Sequence, residues 1–284
     1  MDKIRIQNLE VFAKHGVNQE ENILGQKFLL SAVLYTDTRQ AGKTDSIEDS
    51  IHYGKVCHFM TAFMREHTFK LIESAAEQLA EAMLLHYPRL EAVDLEIKKP
   101  WAPIGLPIET VSVEISRGWH EVYLSIGSNL GDRKEYLDGG LQNLSSRKEI
   151  RNVKSTEYIE TEPYGGVEQG KFLNACVRLE TLLPPEELLD VLHEAEDAAG
   201  REHSEHWGPR TLDLDILFYD DLVMDSEDLV IPHIDMQNRR FVLEPLAELC
   251  PGKVHPVLQR TVKQLLAEME EPEQAKPVRR LFSR

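Results

Sequence analysis

The chain has 284 residues and a formal net charge of −17, and hydrophobic and charged residues make up 42% and 29% of it. This composition is typical of a chain that folds around a packed core, and the length favours two domains over one. No apolar run is long enough for a membrane-spanning helix, and the acidic balance disfavours binding to nucleic-acid phosphates.

The cysteines and the first residues point to a cytoplasmic protein. Cys57, Cys176 and Cys250 are an odd number of widely spaced cysteines without a CxxC pair, which argues against a disulfide framework and a cysteine zinc site. The N-terminal residues alternate charged and apolar side chains and contain no signal-peptide core. We therefore expect a cytoplasmic protein without a membrane partner.

The first half predicts the order strand, strand, helix, helix, strand, strand. Alternating apolar residues predict the strands, and apolar residues spaced by three and four predict the helices. The predicted strands are residues 4–12, 26–38, 92–97 and 109–115, and the predicted helices are residues 56–64 and 72–84. Polar connections are expected at residues 14–22 and 42–50.

A second set of elements begins at residue 121. The predicted strands are residues 121–126, 150–159, 172–182 and 211–219, and the predicted helices are residues 133–146, 185–195, 240–249 and 261–269. The pattern predicts two α+β domains, residues 1–118 and 119–270, followed by a polar tail at residues 271–284.

The most informative segment is HWGPRTLDLDILFY, residues 206–219. On a strand, Asp213 and Asp215 point the same way about 7 Å apart, and Leu212, Leu214 and Ile216 take the opposite, buried face. Two carboxylates without soft ligands suit Mg²⁺, and their spacing accommodates two ions. Taken alone, the pattern also fits a strand with two solvated acids.

Basic and aromatic residues around this strand favour a phosphate site. The guanidinium groups that match phosphate oxygens belong to Arg201, Arg210, Arg239 and Arg240. Trp207 lies on a loop that would close over a substrate, and His233 can donate to a phosphate. Phe172 and Phe241 can hold a planar ring between them. The chain has no GxxxxGK[ST] loop, which excludes an ordinary P-loop kinase.

Residues 121–270 resemble the 6-hydroxymethyl-7,8-dihydropterin pyrophosphokinase family. The resemblance rests on four motifs in the family's order: GSNLGD (127–132), FLNA (172–175), WGPRTLDLDIL (207–217) and PHIDMQNR (232–239). It implies a ferredoxin-like α+β fold. It also implies transfer of a diphosphate from ATP, the co-substrate, to the pterin hydroxymethyl oxygen, with release of AMP.

The resemblance implies roles for individual residues of the second half. Asp213 and Asp215 would hold two Mg²⁺ ions, and Arg201 and Arg210 would be catalytic. The residues that would contact ATP are Glu196, Trp207, Arg210, His233 and Arg239. The residues that would contact the pterin are Thr161, Glu162, Tyr164, Phe172, Asn174 and Phe241. Two positions depart from the family pattern: His203 stands in place of a usual arginine, and Ile234 in place of an aromatic residue.

The first half contains no comparable acidic pair, and its histidines lack the spacing of a zinc triad. Lys98 and Lys99 end a predicted strand, and two adjacent lysines disfavour each other's protonation, which suits acid/base chemistry. Glu73 begins a helix, where it can accept hydrogen bonds from an amidine-like edge. From the residues alone, an ordinary lysine pair and a helix-capping glutamate stay open.

Residues 1–118 resemble the dihydroneopterin aldolase family in the motifs HGV (15–17), EENILGQ (20–26), TDSIEDSIHYG (44–54), LIE (71–73) and KPWAPIG (99–105). The resemblance implies the tunnelling fold, an antiparallel sheet with two helices, and homo-oligomeric rings, typically octamers. It implies retro-aldol cleavage of 7,8-dihydroneopterin into glycolaldehyde and 6-hydroxymethyl-7,8-dihydropterin, without a cofactor. Lys99 would be the general acid/base, Ile72 and Glu73 would bind the pterin, and Glu21 and Tyr53 would lie at the substrate, Tyr53 from the adjoining subunit.

The product of the first implied reaction is the substrate of the second. The sequence therefore predicts a bifunctional enzyme of folate biosynthesis whose partners are pterins and ATP. Two alternatives stay open. The first domain either has lost catalysis and serves only to oligomerise the kinase, or it mainly epimerises dihydroneopterin at C2′.

Overall fold

The computed structural model describes residues 1–163, 169–200 and 209–269. The chain divides into two compact units, Met1–Trp119 and a second that begins at His120. The predicted site residues Tyr164, Arg201 and Trp207, together with His203 and the polar tail, lie outside the described residues. Within the described ranges, no helix is both long and apolar enough to cross a membrane.

A four-stranded antiparallel sheet and two long helices form the first unit. Across the sheet the strands run in chain order, β1 (Asp2–Ala13), β2 (Gln26–Thr36), β3 (Ala92–Lys99) and β4 (Val111–Gly118). The helices are α1 (Gln19–Leu24), α2 (Arg39–Thr44), α3 (Tyr53–Glu66) and α4 (Ile72–His86). The predicted order of two strands, two long helices and two strands is confirmed.

The core of the first unit lies between one face of the sheet and the long helices. Phe28 and Leu30 of β2 are fully buried on that face, and Leu79 and Met83 of α4 are buried on the helix side. The short helices α1 and α2 occur where polar connections were predicted. Neither of them buries a side chain completely, so neither leaves an apolar periodicity in the sequence.

The second unit is built around a five-stranded antiparallel sheet. Its elements, in chain order, are β5 (His120–Ser128), α5 (Arg133–Ser145), β6 (Ile150–Ser155), β7 (Ile159–Thr161), β8 (Phe172–Thr181), α6 (Pro185–Ala198) and β9 (Asp213–Tyr219). The strand order is β6-β8-β5-β9, and β7 also pairs with β8. With one helix after β5 and another after β8, this order is the predicted ferredoxin-like arrangement.

The predicted strand at residues 150–159 is two strands. The pairing of β6 with β8 shifts register between Arg151 and Lys154, and Asn152 takes a positive φ of 57°. β6 ends at Ser155, residues 156–158 belong to neither strand, and the chain then pairs with β8 again as β7, with Thr161 opposite Phe172. This break brings Thr161 to the end of β8, beside the residues of the FLNA motif.

Further elements cover the second sheet. They are the hairpin strands β10 (Met224–Asp225) and β11 (Val230–Ile231), helix α7 (Arg240–Leu249), strands β12 (Val254–His255) and β13 (Arg260–Thr261), and helix α8 (Val262–Glu268). One core contains Leu124 and Ile126 of β5, and a second core, on the α7 side, contains Tyr123 and Phe218. Because β5 has a core on each face, nearly all of its residues are buried.

His255 is a buried titratable group of the second unit. Only 5% of it is exposed, and its Nδ1 accepts backbone N–H groups from Val257 and Leu258 at 3.3 and 3.2 Å. Burial lowers the pKa of His255 from 6.5 to about 4. Between those two pH values the unfolded chain binds more protons than the folded chain, so the free energy of unfolding falls as the pH is lowered.

We expect His255→Asn to lose less stability on acidification, because asparagine can accept the same hydrogen bonds and does not titrate. Between pH 6.5 and pH 4, the wild-type free energy of unfolding should fall further than that of the variant, by up to about 3 kcal/mol. Urea unfolding at a series of pH values measures this. The exposed His193 provides the control, since His193→Gln should keep the wild-type dependence. Equal slopes for wild type and His255→Asn would contradict the assignment.

Candidate active sites

A cavity of about 680 Å³ opens at the ends of β5, β8 and β9 in the second unit. Most of the site residues predicted for this half line it: Thr161, Glu162, Phe172, Asn174, Arg210, Asp213, Asp215, His233, Arg239 and Phe241. These residues come from separate segments of the chain. The fold brings them to one place.

The two aspartates of β9 share the face that the sequence predicts. Asp213 lies opposite Gly127 and Asp215 lies opposite Ser125 in the pairing of β9 with β5. The intervening residues on the other face, Leu212, Leu214 and Ile216, are at most 3% exposed. Both carboxylates therefore face the cavity, and the leucines and the isoleucine hold the strand in the core.

Cationic groups surround the two carboxylates. Arg210 contacts the carboxylate of Asp213, and Arg239 places Nη1 3.8 Å from Oδ2 of Asp215. Burial lowers the pKa of Arg210, but the charge of Asp213 and the hydrogen bond to it outweigh burial and raise the pKa above its usual value. Arg239 also donates from Nε to Oδ2 of Asp235 at 3.0 Å. The cavity thus combines fixed positive charge with two acidic groups.

His233 faces Asp215 as a neutral group. Burial lowers the pKa of His233, and the charge of Asp215 only partly opposes that effect. Nδ1 accepts the N–H of Asp235 at 3.1 Å, and Nε2 lies 3.8 Å from Oδ2 of Asp215. With Nδ1 used as an acceptor, the neutral ring carries its proton on Nε2, so it can donate into the cavity.

The carboxylates of Asp213 and Asp215 fit a hard divalent cation. Across residues 1–163, 169–200 and 209–269, no group of three or more His, Cys, Asp and Glu side chains forms a complete metal site. Mg²⁺ commonly binds through one or two carboxylates and takes its other ligands from water and substrate phosphates. Two oxygen donors beside arginines are the donor set that such an ion would meet here.

A polar and an aromatic wall complete the cavity. Asn174 is 4% exposed and donates from Nδ2 to Oγ1 of Thr161 at 2.8 Å. A Cβ at Gly127 would lie 2.6 Å from Oδ1 of Asn174, so only glycine permits this approach. Phe172 and Phe241 supply aromatic rings. This arrangement suits a planar heterocycle with hydrogen-bonding edges.

Sequence reasoning missed some residues of the cavity. Ser125, Gly127, Gln169 and Asp235 line it and were not predicted as site residues. The alternation of β5 opposite the two aspartates could have indicated Ser125 and Gly127. Gln169 carries no comparable signal.

Glu196, predicted to contact ATP, is not among the described residues that line the cavity. It is on α6 and 2% exposed, and its Oε1 accepts the backbone N–H of Leu214 at 2.8 Å. Leu214 separates Asp213 from Asp215. Glu196 therefore holds the segment of β9 that presents both carboxylates.

In the first unit, the structure distinguishes the two adjacent lysines. Lys99 follows the buried Leu95 and Ile97 on the core side of β3, whereas Lys98 lies on the opposite side, 3.3 Å from Glu96. Nζ of Lys99 is 2.5 Å from Oε1 of Glu21, and these side chains are only 12% and 9% exposed. The lysine preferred from the sequence is the one in a buried ion pair.

Glu21 is held as a carboxylate by several donors. Gln26 donates from Nε2 at 2.9 Å, and the N–H of Asn18 donates at 3.1 Å. Burial raises the pKa of Glu21, but the hydrogen bonds, first that from Lys99, lower it below its usual value. At Gly16, whose φ is 155°, a Cβ would lie 2.3 Å from Oε2 of Glu21. The Glu21 carboxylate therefore packs directly against the backbone of Gly16, where a side chain would otherwise lie.

The other predicted residues of the first unit lie on the helices. Ile72 and Glu73 are the first two residues of α4, where Ile72 is 9% exposed and Glu73 is exposed. Tyr53 is the first residue of α3 and is 62% exposed.

Comparison with known families places one family on each unit. Residues 4–116 match the family model of dihydroneopterin aldolase, and residues 123–251 match that of 7,8-dihydro-6-hydroxymethylpterin-pyrophosphokinase. The two matches follow the division of the chain into its two compact units.

Three curated proteins illustrate the similarity. Bifunctional protein FolKE of Lactococcus lactis is 44% identical over 151 residues, covering 52% of this chain and 43% of its own length. Folic acid synthesis protein FOL1 of Dictyostelium discoideum is 30% identical over 297 residues, covering 93% of this chain and 44% of its own length. A 2-amino-4-hydroxy-6-hydroxymethyldihydropteridine pyrophosphokinase of Methylorubrum extorquens is 40% identical over 148 residues, covering 52% of this chain and 92% of its own length. The chain thus spans less than half the length of the first two relatives and nearly all of the third.

The contact between Gly16 and Glu21 predicts a coupled effect on stability. Gly16→Ala should lower the free energy of unfolding by about 1–3 kcal/mol, because the new methyl group meets the Glu21 carboxylate on a strained backbone. In a Glu21→Ala background the same change should cost less. Urea unfolding of the four proteins measures the difference. Gly42→Ala is the control, since a Cβ at Gly42 meets nothing within 4 Å. An equal cost in both backgrounds would contradict the assigned contact.

Proposed function

We propose that this chain catalyses two consecutive steps of folate biosynthesis. Through its second unit the chain belongs to the hydroxymethyldihydropterin pyrophosphokinase family, and its first unit is a domain of the dihydroneopterin aldolase family. The first unit cleaves 7,8-dihydroneopterin to glycolaldehyde and 6-hydroxymethyl-7,8-dihydropterin. The second transfers a diphosphate from ATP to the hydroxymethyl oxygen and releases AMP.

One observation carries the proposal for the second unit. Asp213 and Asp215 face a cavity whose walls also hold Arg210 and Arg239 and a pair of phenylalanine rings. The two arginine side chains can bind the oxygen atoms of a polyphosphate. The space between the two phenylalanine rings, with polar groups at its edge, can hold a flat pterin ring.

The residues of the second unit divide between the two substrates. Phe172 and Phe241 hold the pterin ring, and Asn174, Thr161 and Glu162 supply polar groups at its edge. Glu162 forms an ion pair with Lys171, in which Oε1 lies 2.9 Å from Nζ. By family resemblance Tyr164 belongs to the same set.

ATP lies against the cationic side of the cavity. Arg210, Arg239 and the Nε2 proton of His233 stabilise the phosphate oxygens as negative charge moves between them. By family resemblance Arg201, Trp207 and Glu196 complete the nucleotide site. Asp213 and Asp215 would hold two Mg²⁺ ions, which neutralise polyphosphate charge and polarise phosphorus–oxygen bonds when bound.

In the first unit, Lys99 acts as the general acid and base. The ammonium group sits against the Glu21 carboxylate in a mostly buried position, which fixes the atom that gives and takes the proton. Glu73, with Ile72, anchors the pterin at the start of α4. Lys99 protonates the pterin C=N group, which then accepts the electrons of the breaking carbon–carbon bond. The C2′ hydroxyl loses its proton as glycolaldehyde forms and C1′ gains a proton to give the hydroxymethyl product, so neither a Schiff base nor zinc is needed.

A homo-oligomer, expected to be an octameric ring, would complete the first site. β1 and β4 are the edge strands of the first sheet and offer backbone groups for pairing between copies. Exposed apolar side chains lie on the same unit, among them Phe12 at 52%, Leu24 at 73% and Trp101 at 60%. Tyr53, which is exposed in the single chain, would reach the site of the adjoining copy.

The buried Lys99–Glu21 pair argues against a first unit that only oligomerises. A buried ion pair is expensive to maintain unless geometry or function requires it. The epimerase alternative uses the same residues and differs only in product. The three free cysteines, Cys57, Cys176 and Cys250, are compatible with the reducing cytoplasm that we propose as the location.

We expect Asp213→Asn and Asp215→Asn each to lower AMP formation from ATP and 6-hydroxymethyl-7,8-dihydropterin by at least about 100-fold, because a bound metal ion contributes several kcal/mol to such a transfer. Glycolaldehyde release from dihydroneopterin by the same proteins should stay at the wild-type rate, which shows that the first unit is intact. A urea-unfolding curve that matches that of wild type shows that the second unit is folded as well. The exposed Asp190 on α6 gives the control variant Asp190→Asn. Retained AMP formation in a folded aspartate variant would refute the two-metal assignment.

We expect Lys99→Met to lower glycolaldehyde release by about 10²–10⁴-fold, the usual contribution of a general acid/base. Lys98→Met is the matched control, since Lys98 lies on the opposite side of β3, and it should leave the rate nearly unchanged. Borohydride should not trap substrate on Lys99. Efficient trapping would indicate a Schiff base, and chromatography of the products would show whether epimerisation dominates instead.

A further inference from the structure

His15 is a buried side chain at the centre of the first unit to which the mechanism above assigns no part. It follows β1, has no exposed surface, and lies edge-on to Phe28 with ring centroids 5.3 Å apart. It also stacks on Phe69, with ring centroids 5.5 Å apart. The ring is thus enclosed by apolar groups, which is a costly place for a polar side chain unless its nitrogen atoms are used.

Two hydrogen bonds join this part of the chain to Phe69. The backbone N–H of Phe69 donates to Nδ1 of His15 at 3.1 Å. The backbone N–H of Gly16 donates to the carbonyl oxygen of Phe69 at 2.9 Å. The N–H and the carbonyl group of Phe69 are therefore both paired with the adjacent residues His15 and Gly16. These two bonds fix the segment around Phe69 against the segment that follows β1.

The two joined segments lead to different parts of the proposed aldolase site. After Gly16 the chain enters α1, which carries Glu21, and Gly16 itself lies against the Glu21 carboxylate. Asn22 of α1 donates from Nδ2 to the carbonyl oxygen of Gly16 at 2.8 Å, which ties α1 back to this point. After Phe69 the chain enters α4, which begins with Ile72 and Glu73.

The ring can accept the Phe69 N–H only while Nδ1 is unprotonated. Burial is the main reason that the pKa of His15 falls to about 4; a hydrogen bond with the backbone of Met64 opposes this effect, and electrostatic interactions with Lys99 and His67 lower the pKa further. The acceptor is therefore available throughout the neutral pH range.

We propose that His15 is a positioning residue of the aldolase reaction, whose Nδ1 sets the distance between the Lys99–Glu21 pair and the pterin anchor at Glu73. This inference rests on the proposed function of the first unit. It assigns the buried imidazole a part in turnover, since a pterin held by Glu73 reacts only if its C=N group meets the Lys99 proton. A displacement of about 1 Å between the two can cost about 100-fold in rate.

The test compares three variants that differ in where an acceptor lies. In His15→Asn the amide oxygen takes the place of Nδ1, in His15→Gln it lies near the place of Nε2, and His15→Phe keeps a ring without an acceptor. The kinetic readout is kcat and KM for glycolaldehyde release, with active sites counted by titration with neopterin. AMP formation by the second unit of the same molecules serves as the internal reference for protein amount.

We expect His15→Phe and His15→Gln to lower kcat by about 10- to 100-fold with KM within about threefold of wild type, because each substrate contact survives while the spacing is lost. His15→Asn should recover most of kcat. Equal kcat per titrated site in all three variants and wild type would overturn the proposal. So would equal losses in Asn and Gln variants, because the proposal requires an acceptor at the position of Nδ1.

A failure of the proposed function is distinguishable from a failure of this inference. Wild-type protein that releases no glycolaldehyde would refute the aldolase function itself. Active wild type with an unaffected His15→Phe variant would refute only the positioning role.

Discussion

The pairing of β9 with β5 is the constraint on which the chemistry of the second unit depends. Side chains alternate along a strand, so a slip of one residue would turn Asp213 and Asp215 into the core and Leu214 out of it. Burying two carboxylates without partners is far costlier than burying leucine, and this difference keeps the register. Glu196 on α6 also stabilises this register, because its Oε1 accepts the backbone N–H of Leu214 at 2.8 Å.

Both units pair their charged site residues with groups of opposite charge. Glu21 on α1 meets Lys99 on β3, and Asp213 at the start of β9 meets Arg210 just before it. A partly buried charge without such a partner would lose more solvation energy than packing returns. The ion pairs therefore keep charged side chains in partly buried positions. The effective dielectric constant is low there, so the electrostatic interaction of these charges with a substrate is strong.

Much of the fold follows from patterns that are local in the sequence. Both sets of strands and long helices were predictable because each has an apolar face of regular period, and the shared face of the two aspartates follows from strand geometry. The helices α1 and α2 were missed because they bury no side chain completely. The break between β6 and β7, at residues 156–158, was missed because this stretch contains no glycine or proline to mark the end of a strand.

The sequence by itself determined the order of the longer strands and helices, the two family resemblances and the residue types of both sites. Only the tertiary structure decided that Lys99 pairs with Glu21 while Lys98 faces the other way, and that Glu196 accepts the backbone N–H of Leu214 on β9. It also decided that Gly16 and Gly127 lie against site side chains and that His15 joins two distant segments. These contacts link residues that periodicity does not relate, because they depend on how the elements pack rather than on which elements form.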